Sequence, residues 1–224
     1  MNKEGLKIYD RLLELPLFQG MNHPDLESII GQTRFGFLKL APQKTIVKEN
    51  DPCQELIFLV SGVASVTTTS DDHGYIITEE LKAPAIIQPE HIFGLTQRFT
   101  KTFTTIEPCS FITLDREETK KLSDRYDIFR INLLNIISTQ SQKLQRNLLK
   151  KYPSSLEERI VNWIRFRCLT PVGHNKIKIK MTQLANEIND SRLDVSRALN
   201  RLEEQGWLKL SRGNIDIAAV ETAF

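Results

Sequence analysis

Between residues 34 and 114 the chain is written in short runs rich in Val, Ile, Thr and Phe. No other feature restricts its fold as tightly. "FGFLKLAP" (35–42), "KTIVKE" (44–49), "ELIFLVSG" (55–62), "VASVTTTS" (63–70), "YIITEEL" (75–81) and "TFTTIEPCSFITL" (102–114) are separated by turn formers at Pro42, 49–51, Gly62 and 70–74. Runs of this length and composition favour strands, and many of them in series close into a sandwich or barrel, here of about 80 residues. Before them, residues 6–15 have the spacing of an amphipathic helix ended by Pro16, and "HPDLESIIGQT" reads as a second.

After residue 114 the period changes. From Asp115 to Lys151 there is neither Gly nor Pro. Phe129, Leu133, Ile137, Gln140, Leu144 and Leu148 follow near-heptad spacing, which marks a candidate dimerisation seam. The alternative is a helix packed on its own β-domain. "KKYPSS" (150–155) then breaks the chain, with Ser154–Ser155 able to cap the helix that begins in "SLEERIVNWIRFRCL". "NKIKIKM" alternates like a half-exposed strand, and "GWLKLSRGNIDIA" reads as a hairpin turning at Arg212–Gly213–Asn214.

Between these lies "TQLANEINDSRLDVSRALNRLEEQG" (182–206). Thr182 is a candidate N-cap for a first helix, with Leu184, Ala185 and Ile188 on its buried side. Asn189 occupies a sharp turn, where Asn tolerates the left-handed conformation better than most residues. Ser191 caps a second helix, with Asp194 in a weak capping-box position. Val195, Ala198, Leu199 and Leu202 form one stripe of that helix. At about 100° per residue, Leu193, Ser196, Arg197 and Asn200 fall opposite, with Arg192 and Arg201 at the margins. Helix, tight turn and helix, preceded by a basic strand and followed by a hairpin, is the pattern of a winged helix-turn-helix. A generic amphipathic helix would explain the stripe alone, but not the turn, caps and wing together. On a major groove, arginine can bond guanine O6 and N7, and an apolar group can touch a thymine methyl. Thr182, Ser191, Arg192, Leu193, Ser196, Arg197, Asn200, Arg201 and Arg212 are therefore the candidate DNA contacts.

Charge agrees with a polyanion at that end. Residues 1–142 hold 15 Lys and Arg against 19 Asp and Glu, a net of −4, whereas 143–224 hold 15 against 9, a net of +6. Three widely spaced cysteines, Cys53, Cys109 and Cys168, fit no zinc or redox spacing, and with the charged N-terminus and no apolar run of membrane-spanning length they point to a cytoplasmic protein with no membrane partner. No nucleophile–base constellation, metal spacing or complete phosphate loop is present, which argues against an enzyme and against a metal site.

The chain resembles the Crp/Fnr family of bacterial transcription regulators. "LPLFQGM" with "DLESI" looks like the family's N-terminal helices. "KENDPCQELIFLVSGVASV" resembles its β-roll core: Asp51 and Gly62 match, and Asn50 stands for a glycine at a turn. "SRLDVSRALNRLEEQGWL" resembles its recognition helix and the start of its wing. The resemblance implies an α+β chain: an N-terminal double-stranded β-helix (jelly-roll) sensor over 1–114, a dimerisation helix over 115–151 and a winged helix-turn-helix over 152–224. It implies a homodimer on a palindromic double-stranded DNA operator, with RNA polymerase and a small-molecule effector as further candidate partners. The other reading is a sensory module that binds ligand or protein without reading DNA.

Two departures stand out. Family members that bind cyclic AMP carry F-G-E, a short helix and R-S-A, in which an arginine neutralises the phosphate and the glutamate holds the ribose. Here the segment is "PEHIFGLTQRFTKTFTTIEPC": Phe93 and Gly94 match, Leu95 replaces Glu, and Arg98 is out of register. Phe93, Gly94, Leu95, Arg98 and Thr100 remain the candidate effector pocket, with the cofactor unknown and cyclic AMP not expected. His73 and His91 as haem ligands, and Cys53 as a redox sensor, are weaker candidates. In the recognition helix, Leu193 holds the place where the family carries a cytosine-reading Glu, so the operator is expected to differ there.

Overall fold

A computed structural model describes residues 3–148, 153–168 and 174–217. In chain order the elements are α1 (Lys3–Glu14), α2 (His23–Gln32), β1 (Phe35–Leu40), β2 (Thr45–Val47), β3 (Glu55–Ser61), β4 (Val63–Thr69), β5 (Tyr75–Lys82), β6 (Ala85–Ile87), β7 (Thr102–Thr105), β8 (Cys109–Asp115), α3 (Arg116–Arg125), α4 (Asp127–Leu148), α5 (Leu156–Arg167), β9 (Asn175–Ile179), α6 (Met181–Ile188), α7 (Arg192–Glu204), β10 (Lys209–Ser211) and β11 (Asn214–Ile217). This is an α+β chain: a jelly-roll-like β domain, a long helix, then a winged helix-turn-helix. Among the described residues no helix is long and apolar enough to cross a membrane.

The chain forms two compact units. The first holds Met1–Ala64, Lys82–Thr100 and Thr104–Arg146; the second holds Ser65–Leu81, Lys101–Phe103 and Asn147–Phe224. In the first, the antiparallel order is β1-β8-β3-β6. Phe18 is its hub, within 5.4 Å of Phe129, 6.0 Å of Phe58 and 6.3 Å of Phe35 by ring centroid. Those contacts join the N-terminal helices, two strands and α4 in one apolar core. Gly62 and Asn50 both adopt positive φ, +96° and +70°. A Cβ on Gly62 would stand 2.6 Å from Cys109 Sγ and 2.7 Å from the Pro108 carbonyl oxygen, so only glycine fits there.

The helical stretch expected over 115–151 is two helices as far as Leu148, and 149–151 lie outside the described residues. Asp115 ends β8 and caps α3, its side chain accepting from Glu118 N–H. Tyr126 is extended, with φ −121° and ψ 106°, and separates α3 from α4. Its ring is buried, its hydroxyl is 3.1 Å from Ser28 Oγ, and its carbonyl accepts the first bond of α4 from Arg130 N–H. Anchoring of the tyrosine to α2 outweighs helix continuation at a position that carries neither Gly nor Pro.

In α4, Phe129 and Leu133 are buried in their own unit, and Gln140 and Ile137 are half-buried. Leu134 and Leu144 are 56% and 68% exposed. The five described seam positions thus straddle two faces. The inner one is Phe129, Leu133, Ile136 and Gln140. The outer one, roughly 90° around the helix, is Leu134, Ile137, Ser141 and Leu144. The side chain of Leu148 lies outside the described residues.

The second unit is built on one core. Ile160, Trp163 and Ile164 of α5, Ile177 of β9, Leu184 and Ile188 of α6, and Val195, Leu199 and Leu202 of α7 pack with Ile215 and Ile217 of β11. Ile77 of β5 is part of the same core.

Candidate nucleic-acid interface

The turn between α6 and α7 is made by Asn189, in the left-handed region at φ 56° and ψ 55°. Asp190 N–H reaches back to the Ala185 carbonyl at 3.0 Å, satisfying the end of α6. Arg159 of α5 fixes the corner: it donates to the Ile188 carbonyl at 3.2 Å and pairs with the Asp190 carboxylate. Asp190 is held below the usual carboxylate range, first by the Ser191 N–H and then by Arg159. Ser191 then caps α7, accepting from Asp194 N–H at 3.1 Å and donating to the Asp194 carboxylate at 2.7 Å.

This frame decides which side of α7 is free. Val195, Ala198, Leu199 and Leu202 are fully buried. Arg192, Leu193, Arg197 and Asn200 are exposed and Ser196 is half-buried. Leu193 is 60% exposed, an apolar side chain in the middle of a polar, basic face. Arg197 Nη1 lies 3.5 Å from Asp194 Oδ1, a loose pair in solvent. Arg212 is exposed at the tip of the wing, where β10 and β11 pair Ser211 with Asn214 and Gly213 takes φ +74°.

Two expected positions behave differently. Arg201 is paired with Glu157 of α5, so its guanidinium is engaged by the body of the domain. Thr182 is not the N-cap of α6. Lys180 holds that position, with φ −76°, ψ 142° and no side-chain cap, and Thr182 is an exposed residue of the first turn. The helix starts earlier because Met181 packs against the apolar core. Arg159 and Glu157 were not identified from sequence. Their partners lie 31 and 44 residues away, beyond the reach of local periodicity.

The candidate effector segment is open rather than cradled. Residues 92–101 contain no helix. Leu95 is fully exposed, Phe93 is 37% exposed, and Gly94 has φ +99° with no atom within 4 Å of an added Cβ. Arg98 donates through Nη1 to the Asn50 carbonyl at 2.6 Å. Thr100 is closed against buried Gln88: its Oγ1 accepts from Gln88 Nε2 at 2.6 Å and its N–H donates to Gln88 Oε1 at 3.1 Å. A shallow cavity of about 440 Å³ in the same unit is lined by Val47, Asp51, Pro52, Gln54, Glu55, Ile57, Phe99 and Asp115. That lining carries three carboxylates and no cation, an environment that disfavours a phosphate.

The other candidates take ordinary places. Cys53 is buried, and burial pushes its thiol up to about 11 despite the opposing Arg116 charge. A thiol so shifted is almost wholly protonated at neutral pH and is a poor redox nucleophile. His73 is exposed at the β4–β5 turn, and His91 Nε2 lies 3.8 Å from Glu90 Oε1. Among the described residues no group of three or more His, Cys, Asp or Glu could hold a metal ion.

Residues 37–126 match the cyclic nucleotide-binding domain family, and residues 158–222 match the Crp-like helix-turn-helix domain family. No curated protein matches the chain by sequence. Among solved structures, the catabolite activator protein of Thermus thermophilus aligns with 23% identity and a TM-score of 0.52, covering 90% of this chain and 93% of that one. The sensor domain of the transcriptional regulator DNR from Pseudomonas aeruginosa aligns with 14% identity and a TM-score of 0.53, covering 69% of this chain and 99% of that one. With both family domains matched in this order around the long helix, the chain belongs to the Crp/Fnr family of transcription regulators and carries that family's DNA-binding helix-turn-helix.

Proposed function

We propose that the chain acts as a homodimer that reads a two-fold symmetric operator through α7. The observation that carries this reading is the division of α7: an apolar side locked into the domain core, and an outward side of Arg192, Leu193, Arg197 and Asn200 with the wing's Arg212 also exposed. Arg192 and Arg197 take guanine edges or phosphates, Asn200 a neighbouring base, and Ser191, Ser196 and Thr182 the backbone. Arg201 is a positioning residue that ties α7 to α5 through Glu157. The outer face of α4, Leu134, Ile137 and Leu144, joins the two copies. The protein works as a cytoplasmic regulator rather than an enzyme.

The effector is not cyclic AMP. Leu95 offers no acceptor for a ribose hydroxyl, and Arg98 is committed to the Asn50 carbonyl. Selection of bound duplexes from a random-sequence pool by the full-length protein tests the whole reading. Two half-sites about one helical turn apart are expected. A protein that enriches no sequence at low salt is a sensory module that does not read DNA.

A further inference from the structure

The second unit contains a strand from the N-terminal half of the chain. β5 runs antiparallel to β9, with Tyr75 opposite Ile179, Ile76 opposite Lys178, Ile77 opposite Ile177, Thr78 opposite Lys176 and Glu79 opposite Asn175. The sheet that backs the helix-turn-helix therefore continues β10-β11-β9-β5-β4. The junction is built as a core, not a surface contact. Ile77 is fully buried in the cluster that holds Ile164, Ile177 and Leu199. The Tyr75 ring meets Trp163 edge-on at 5.1 Å, and its hydroxyl accepts from Arg167 Nε at 2.9 Å.

The tip of this hairpin reaches the first turn of α6. Asp72 Oδ2 accepts from Gln183 Nε2 at 3.0 Å. Gly74 allows the approach, since a Cβ there would lie 2.7 Å from Gln183 Nε2. The Asp72 carboxyl is held below its usual range, first by the Ser70 hydroxyl and then by Gly74 N–H, and Asp71 beside it is exposed. In a bound helix-turn-helix the first helix crosses the sugar-phosphate backbone, and the free N–H groups of its N-terminus suit a phosphate. In this structure Gln183, in the first turn of α6, holds the Asp72 carboxylate there instead, with Asp71 next to it in the chain.

We propose that the β4–β5 hairpin is an autoinhibitory strap: paired with β9, it holds Asp71 and Asp72 at the phosphate-facing end of α6, and full engagement of DNA requires the tip to leave. The inference rests on the assignment of α6 and α7 to DNA. Its consequence is quantitative, because a conformer that cannot bind lowers the apparent affinity by the fraction it occupies.

The test uses the full-length protein carrying Thr78→Cys and Lys176→Cys. These are opposed positions on paired strands, within disulfide reach, and the reduced form of the same protein is the control. The probe is a labelled pool of random-sequence duplexes. Oxidation is expected to weaken binding about tenfold or more, and reduction to restore it. A second variant, Asp71→Asn with Asp72→Asn, is expected to bind about threefold tighter than the wild type. The same charge change at exposed Glu117 and Asp124 of α3, as Gln and Asn, is expected to leave binding unchanged. Equal binding by the oxidised and reduced forms overturns the strap, as does equal tightening by the α3 control; neither touches the DNA assignment. If the reduced protein and the wild type bind no duplex at all, the DNA assignment falls and the strap with it. Should the cysteine pair prevent folding, the two charge variants alone decide the outcome.

Discussion

The guanidinium of Arg201 on α7 is paired with the carboxylate of Glu157 on α5, across 44 residues of chain. On a helical wheel Arg201 borders the outward face, yet its half-exposed guanidinium is held by a carboxylate of its own domain. Replacing it with alanine should therefore differ in kind from replacing Arg192 or Arg197. Arg201→Ala should cost about 0.5 kcal/mol of stability, the usual scale for a partly exposed pair, and leave base preference unchanged. Arg197→Ala should weaken binding. If it reads a base, one operator position relaxes; if it clamps phosphate, all sequences weaken alike and the salt slope becomes shallower. A changed operator preference for Arg201→Ala would show that the Glu157 pair opens on DNA.

The two faces of α4 separate folding from assembly. Phe129 is fully buried beside Phe18, so Phe129→Ala should destabilise the first unit by about 3–5 kcal/mol. Leu134→Asp with Leu144→Asp changes exposed positions and should leave the fold intact while yielding monomers with weak operator binding. Sedimentation and thermal melts read the two effects apart. A double aspartate variant that stays a full-strength dimer would place the interface elsewhere.

How far the sequence carries is clearest in that helix. Its existence, the β-rich run before it and the turn at Asn189 were legible, because each depends on local period or on a backbone conformation few residues tolerate. The glycine at 62 was legible as a motif, and its close approach to Cys109 gives the reason. The break at Tyr126 was not, because it is set by a hydroxyl reaching Ser28, 98 residues away. Neither was the division of the seam into two faces. Leu133 and Leu134 are both leucines, and only the way α4 packs within its own unit decides which one is buried. The pairing of β5 with β9 lies further beyond reach, since nothing local in "YIITEEL" or "NKIKIKM" names its partner.

Acid should loosen the helix-turn-helix corner. The Asp190 carboxyl is held low by Ser191 N–H and by Arg159. At Glu157 burial pushes the carboxyl up, but its own backbone N–H and Arg201 outweigh that and bring it below its usual value. A carboxyl lowered in the folded state stabilises that state at neutral pH, and the contribution disappears as pH falls through the folded value. The melting temperature should thus fall as the medium passes below the ordinary carboxylate range of about 4. Arg159→Ala should flatten that dependence. An unchanged profile in this variant would mean that other carboxylates dominate acid unfolding.

Cyclic AMP should not bind in the micromolar range. Arg98 is held by the Asn50 carbonyl, Thr100 is closed against Gln88, and Leu95 stands in solvent. Calorimetric titration of the full-length protein checks this directly. Leu95→Glu alone should not create binding, because the phosphate would still lack its cation. Heat of binding at micromolar nucleotide would mean that Arg98 leaves Asn50 and the segment refolds around the ligand.

Leu193 offers the sharpest test of how α7 meets DNA. It is 60% exposed, flanked on the outward face by Arg197 and Asn200, and opposite the buried Val195–Leu199 stripe. Leucine has neither donor nor acceptor, so it reads by packing against a thymine methyl or leaves its base pair unread. Glutamate at this position can accept from the cytosine amino group and is repelled by phosphate. Leu193→Glu should therefore weaken binding to the native operator and move preference toward cytosine at the facing position. A single mismatched pair is worth about 1–3 kcal/mol, so the change in preference should be roughly tenfold or more and visible in selection from random duplexes. The native protein should show thymine or no preference at that position. If the Leu193→Glu protein selects the same sequences as the wild type, α7 does not present this residue to the groove, and the orientation of the recognition helix must be turned about its axis.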